Sequence, residues 1–121
     1  VVTLRLVSSP TTSATAWPWV SITAASSVSD ARQRADVLSA FNANVPAVHA
    51  EDGCIEYGAT VDAEGVGKFQ TQFGPDTFVV VEKWQSLDHL KAHAGSPHMA
   101  AYGAKTKDLL ADRIIHVLSP A

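Results

Sequence analysis

The sequence predicts an α+β fold in which one four-stranded antiparallel sheet carries helices on one face. Three observations lead there. Strand-like and helix-like patterns follow in the order strand, helix, strand, strand, helix pair, strand. The length of 121 residues, 46% of them hydrophobic, suits one compact domain. The stretch Thr77 to Trp84 is almost wholly β-branched or aromatic, as a strand in the middle of a sheet requires. Nine Lys+Arg against twelve Asp+Glu give a net charge of −3 with no basic run, so nucleic acid is not an expected partner. Nor is a membrane: the longest aliphatic run, Phe78 to Val81, is far short of the roughly 20 residues a spanning helix needs. The single cysteine, Cys54, rules out an intrachain disulfide and fits a reducing, cytoplasmic setting.

The elements are justified in chain order. Residues 1–16 read as an extension to a domain spanning 17–121: Ser8 to Ala16 (SSPTTSATA) has tether composition, and no apolar segment precedes Ala14-Thr15-Ala16 as a secretory signal would need. Val1 to Val7 reads as an extra edge strand or the end of an upstream segment. Deleting Val1 to Ala16 is expected to leave the fold nearly intact. Trp19 to Ala25 alternates as a half-buried strand. Asp30 and Gln33 have capping-box spacing and open a helix whose buried face is Leu38, Phe41, Val45 and Val48, with Pro46 expected to kink or end it near Asn42 to Val45. After Gly53, the residues Ile55, Tyr57, Ala59 and Val61 alternate over a second strand. Asp62 to Asp76, rich in glycine, makes a long hairpin connection in which Lys68 to Phe73 offers short strand extensions. The third strand follows, Thr77 to Trp84. Ser86 caps a short helix through Ala94, with Gly95 as a left-handed stop. Ser96-Pro97 opens another whose face is Met99, Tyr102, Thr106, Leu109 and Leu110. Asp112-Arg113 turns into a last strand, Ile114 to Leu118.

That order is the split βαβ of a ferredoxin-like sandwich. The sheet face away from the helices, assigned side chains such as Trp19, Tyr57 and Trp84, is too apolar to leave wet, so a homodimer is expected.

Three segments then occur in sequence: Glu51-Asp52-Gly53-Cys54-Ile55-Glu56-Tyr57, Glu82-Lys83-Trp84-Gln85-Ser86 and His93-Ala94-Gly95-Ser96-Pro97-His98. Over residues 17–121 the chain resembles the antibiotic biosynthesis monooxygenase (ABM) family. The resemblance implies a dimeric α+β barrel and, among the activities of similar proteins, cofactor-free quinol monooxygenation or haem binding and degradation. Haem-degrading members place an iron-ligating histidine along the final helix where this chain has Gly103, which disfavours the haem reading. Two features depart from the family pattern: the Ser/Thr-rich extension and the long 62–76 connection.

Five histidines bring acid–base and metal chemistry into question. His89 and His93 stand at i and i+4, a chelating spacing, with a third ligand to come from His98 or a carboxylate; no HExxH pattern accompanies them, and no metal is expected. His89 reads as solvent-facing. His93 flanks the Leu87/Leu90 stripe and lies where the resembled family places a pocket histidine, against the plainer reading of a hydrogen-bonded, partly buried residue. His98, near the start of its helix, either lies at a pocket rim or packs. His49 and His116 read as structural. Tyr57, Trp84 and Tyr102 are either core or the walls of an aromatic-substrate pocket. Glu82, on a central strand, needs a partner and either forms an ion pair or orients a histidine. Cys54 reads as a small hydrophobe.

With no phosphate loop or nucleotide fingerprint, the fitting mechanism is one in which the substrate supplies the electrons. A base, His93, deprotonates a small phenolic or quinol-type aromatic, whose anion reduces O2 without a cofactor; Tyr57, Trp84, His98 and Tyr102 bind the substrate. The alternative is a non-catalytic dimeric ligand-binding module.

Overall fold

The computed structural model describes residues 19–121. The readings of Val1 to Val7 and Ser8 to Ala16, and the domain start at Trp17, lie outside these residues. Among them the elements follow the expected order: β1 (Val20–Val28), a 3₁₀ turn (Ala31–Gln33), α1 (Arg34–His49), β2 (Cys54–Thr60), β3 (Thr77–Trp84), α2 (Leu87–Ala94), α3 (Pro97–Thr106) and β4 (Leu110–Leu118). The sheet runs β2-β3-β1-β4 with every neighbouring pair antiparallel. This is the ferredoxin-like arrangement, with β3 in the interior.

Alternation along β1 and β3 divides the sheet into two faces. Ile22, Ala24, Phe78, Val80 and Trp84 point to the helices and are buried together with Val37, Phe41 and Val48 of α1. Phe41 is the hub: its ring stacks on Tyr57 at 5.0 Å and meets Phe78 and Tyr102 edge-on at 6.3 and 5.9 Å. The pairings Tyr57↔Glu82 and Cys54↔Trp84 put Tyr57 and Trp84 on this face as well. They are therefore core, not residues of the uncovered face as their hydrophobicity alone suggests. The opposite face carries Val79, Val81, Ile114 and Leu118, of which the last two are 54% and 51% exposed. Lys83 Nζ lies 4.6 Å over the Trp19 ring.

Several local expectations are corrected. Asp30 accepts from the Arg32 N–H as an N-cap, but the first turn is 3₁₀ and the α-helix begins at Arg34. Val37, absent from the predicted stripe, is fully buried, whereas Leu38 and Val45 are only partly so. Helix α1 continues through Pro46 to His49. The missing N–H falls in the last turns, where complete burial of Val48 offsets part of a penalty of about 3 kcal/mol. A bulge between Cys54 and Glu56 shifts the register of β2, so Ile55 turns outward and is exposed, and Val61 lies beyond the strand end.

Residues 68–73 form no strand: the Asp62 carboxylate instead accepts the Phe73 and Gly74 N–H groups and closes the connection as a loop. Gly95 has φ −92°, so α2 ends without a left-handed residue. Leu109 and Leu110 fall outside α3, and β4 starts at Leu110, which places Asp112 and Arg113 within the strand.

Candidate functional site

The last turn of α2 delivers His93 to the sheet. Ser86 Oγ accepts the His89 N–H and starts the helix, and Ser96 Oγ donates to the His93 carbonyl as the chain leaves it. The imidazole packs against Trp84 with ring centroids 4.6 Å apart and meets Tyr57 edge-on at 5.3 Å, leaving its side chain 4% exposed. A buried imidazole needs partners for both nitrogens. Nδ1 lies 2.8 Å from Glu51 Oε2, and the same oxygen lies 2.7 Å from His98 Nε2. With the carboxylate oxygen as acceptor, both ring nitrogens donate, and the His93 lone pair resides on Nε2. That nitrogen faces Glu82 Oε1 at 3.8 Å.

Glu51 is set by the turn that follows α1. Its N–H bonds the Val48 carbonyl at 2.9 Å, and two residues later Gly53 adopts φ +82° while its carbonyl accepts the Gln85 N–H. A Cβ at position 53 would overlap the His89 ring. His89 is half-buried rather than solvent-facing: its Nδ1 pairs with Ser86 Oγ at 2.7 Å and its Nε2 faces Asp52 at 3.4 Å. It does not share a ligand position with His93. His49 bonds the Tyr57 carbonyl, and His116 is exposed on the open sheet face.

Beside His93 lies a cavity of about 510 Å³ between sheet and helices, open along β4. Tyr57, His93 and Tyr102 line it with Phe41, Met99 and Leu90. Trp84 does not reach the cavity but backs the imidazole, and His98 lies outside the lining, on the far side of Glu51. The polar groups inside are few. Glu82 is buried and takes the Trp84 Nε1–H at 2.9 Å; burial raises its pKa above the ordinary value, against the pull of the Trp84 bond, His93 and Arg113. Burial, reinforced by Glu82, pushes the Tyr57 phenol well above its usual range, and burial also raises Tyr102, so both remain protonated donors at neutral pH. Arg113 of β4 supplies a cation to the wall. Burial lifts the Cys54 thiol, with Glu51 and Glu82 acting in the same direction, which suppresses its thiolate.

Two of these groups escape sequence reasoning. Glu51 stands 42 residues from His93; it heads one of the segments that carry the family resemblance, but its role as partner of the imidazole is signalled only by the general need of a buried ring for an acceptor. Arg113 reads as a turn residue until β4 is known to begin at Leu110. Among the described residues, Glu51, His93 and His98 form a group whose ligand atoms all lie within 4.8 Å of one another. No helix of the described residues is long and apolar enough to cross a membrane.

Known proteins resemble this chain in sequence or in fold. The probable quinol monooxygenase YgiN of Escherichia coli K12 is 39% identical over 87 residues, covering 72% of this chain and 83% of that protein. Rv0793 from Mycobacterium tuberculosis superposes with a TM-score of 0.69 at 27% identity, over 85% of this chain and 95% of that one. A conserved protein from Methanosarcina mazei Go1 has the same fold, with a TM-score of 0.71 at 17% identity over 85% and 93% of the two chains. The family model for antibiotic biosynthesis monooxygenases matches residues 24–105, and the chain belongs to that family.

Proposed function

We propose that the protein is a cofactor-free monooxygenase that oxidises a small phenolic or quinol-type aromatic with O2, using His93 as the base. One observation carries the reading: a buried imidazole, held at Nδ1 by Glu51, stands in the wall of an apolar cavity large enough for such a ring. The name of the 39% identical relative points to the same substrate class.

The chemistry follows from the groups present. His93 Nε2 takes the hydroxyl proton, and Glu51 stabilises the imidazolium and keeps the ring in orientation. The resulting phenolate is electron-rich enough to reduce O2 directly. One oxygen atom enters the ring as a carbonyl and the other leaves as water, so a phenol and O2 give a quinone and water with all four electrons drawn from the substrate. Tyr57 and Tyr102 donate to developing oxyanions, and Arg113 adds positive charge on the β4 side. Trp84 acts behind His93 by fixing its ring, and His98 by sharing Glu51.

Reactive intermediates of this kind need protection from water. The Ile115 and Val117 wall is about half exposed in the single chain. A homodimer through the apolar open sheet face, with β4 at its edge, brings a second subunit next to that wall. Oxygen consumption measured across a panel of phenols and quinols tests the reading. Turnover that requires His93 supports it; no oxygen uptake with any member, while the same compounds bind, establishes a ligand-binding module instead.

A further inference from the structure

We propose that Glu51, His93 and His98 form a binding site for a divalent first-row metal ion, with Zn²⁺ the best-fitting class. The donor set is two imidazoles and a carboxylate, a combination that holds zinc in three-ligand sites with a fourth position for water. His93 Nδ1, His98 Nε2 and a Glu51 oxygen already converge within 4.8 Å of one another. Zinc bonds of about 2.0–2.2 Å in tetrahedral geometry place ligand atoms about 3.3–3.5 Å apart. Glu51 Oε2 sits between the two nitrogens at 2.8 and 2.7 Å, and the nitrogens themselves lie within 4.8 Å of each other, so an ion enters between the imidazoles as the carboxylate withdraws by under about 1 Å and the two rings close by up to about 1.5 Å.

Two further features favour the site. Its members come from different elements whose backbones are fixed independently: the turn before β2, the end of α2 and the start of α3. The second carboxylate, Glu82, faces the other nitrogen of His93 at 3.8 Å, where metal-bound histidines are commonly partnered by a carboxylate that receives their remaining N–H. His98, 28% exposed against 4% for His93 and 15% for Glu51, provides the side from which an ion and its water enter.

Binding changes the cavity. A metal on Nδ1 requires that nitrogen's lone pair, so the proton moves to Nε2 and the lone pair that faces the cavity is lost. The ion thereby switches His93 from acceptor to donor; this consequence, unlike the site itself, rests on His93 being the base of the proposed reaction.

The test is a titration of the full chain with Co²⁺, followed by the visible d–d band of a four-coordinate ion and by displacement with Zn²⁺. One Co²⁺ per chain is expected. The band is expected to be lost in His98→Ala, which leaves the His93–Glu51 pair in place, and to persist in His89→Ala; circular dichroism verifies that both variants are folded. A band retained in His98→Ala, or no band with Co²⁺ in tenfold excess over the chain, overturns the site. The absorbance readout needs no turnover, so it stands whatever the oxygen assay returns. Where turnover is measured, Zn²⁺ is expected to inhibit the wild type and to inhibit His98→Ala at least tenfold less strongly.

Discussion

Replacing Glu51 by glutamine separates the orientation of His93 from its presence. The substitution keeps an oxygen that can accept one ring N–H but removes the charge and the ability of a single carboxylate oxygen to serve both His93 and His98. A hydrogen bond to a charged group contributes about 1.5–3 kcal/mol. If that contribution is fully expressed when His93 becomes an imidazolium, kcat falls by about 10- to 150-fold, at about 1.36 kcal/mol per tenfold in rate. Glu51 is not part of the cavity lining, so KM is expected to stay within about twofold of wild type. Steady-state oxygen consumption supplies both constants. Long-range ¹H–¹⁵N correlation of the imidazole supplies a structural readout: wild type shows His93 protonated at Nδ1, and Glu51→Gln shows a mixture of tautomers. A raised KM with unchanged kcat would refute the reasoning, because it would make Glu51 a substrate contact. An unchanged kcat with the tautomer lost would show that orientation of the ring contributes nothing to the rate.

Three other outcomes are expected. His93→Ala lowers turnover by about 10²–10⁴-fold while His89→Ala changes it little; equal small losses in both, measured by the same oxygen assay, mean that the base lies elsewhere. Glu82 titrates above its ordinary value of 4.5 in the folded chain because it is buried, so over the window from 4.5 up to the raised value the native state holds a proton that the unfolded chain has released. Its contribution is therefore favourable below that window and is lost as pH rises through it; Glu82→Gln, scanned by thermal denaturation from acid to neutral pH, gains Tm relative to wild type as pH rises, and parallel curves would contradict the assignment. Light scattering at micromolar concentration is expected to give a homodimer and Ile114→Glu, on the open sheet face, to give monomers; a monodisperse wild-type monomer defeats the interface.

Much of the fold was legible because its signals are local. Thr77 to Trp84 is a strand by composition, Ser86 and Ser96-Pro97 mark helix starts, and the order of elements leaves few topologies. What was misplaced depends on contacts between distant segments. Leu109 and Leu110 continue the helical spacing of Met99, Tyr102 and Thr106, so only pairing of Val28 with Leu110 reveals that the chain is already a strand. Pro46 is a helix breaker by its own chemistry, yet Val48 is buried against the core and the helix holds. The bulge at Ile55 has no sequence signature, and without it β2 reads with one face too many apolar residues. In the site, Tyr57, His93 and Tyr102 can be assembled from periodicity and resemblance. Glu51 and Arg113 cannot, since their roles exist only once the turn before β2 and the length of β4 are known.

The left-handed turn at Gly53 has a consequence for how the site tolerates variation. The ring of His89 occupies the space that a side chain at 53 would need, so the turn carrying Glu51 and the helix carrying His93 are fitted to each other through a residue that takes no part in the chemistry. Positions 53 and 89 are thus sterically coupled. A larger residue at 53 demands a smaller one at 89, and even then the φ of +82° leaves a cost of about 1–2 kcal/mol for any residue other than glycine. A substitution at Gly53 is therefore expected to disturb the Glu51–His93 pairing while both of those residues remain in the sequence, a change that an inventory of site residues would overlook.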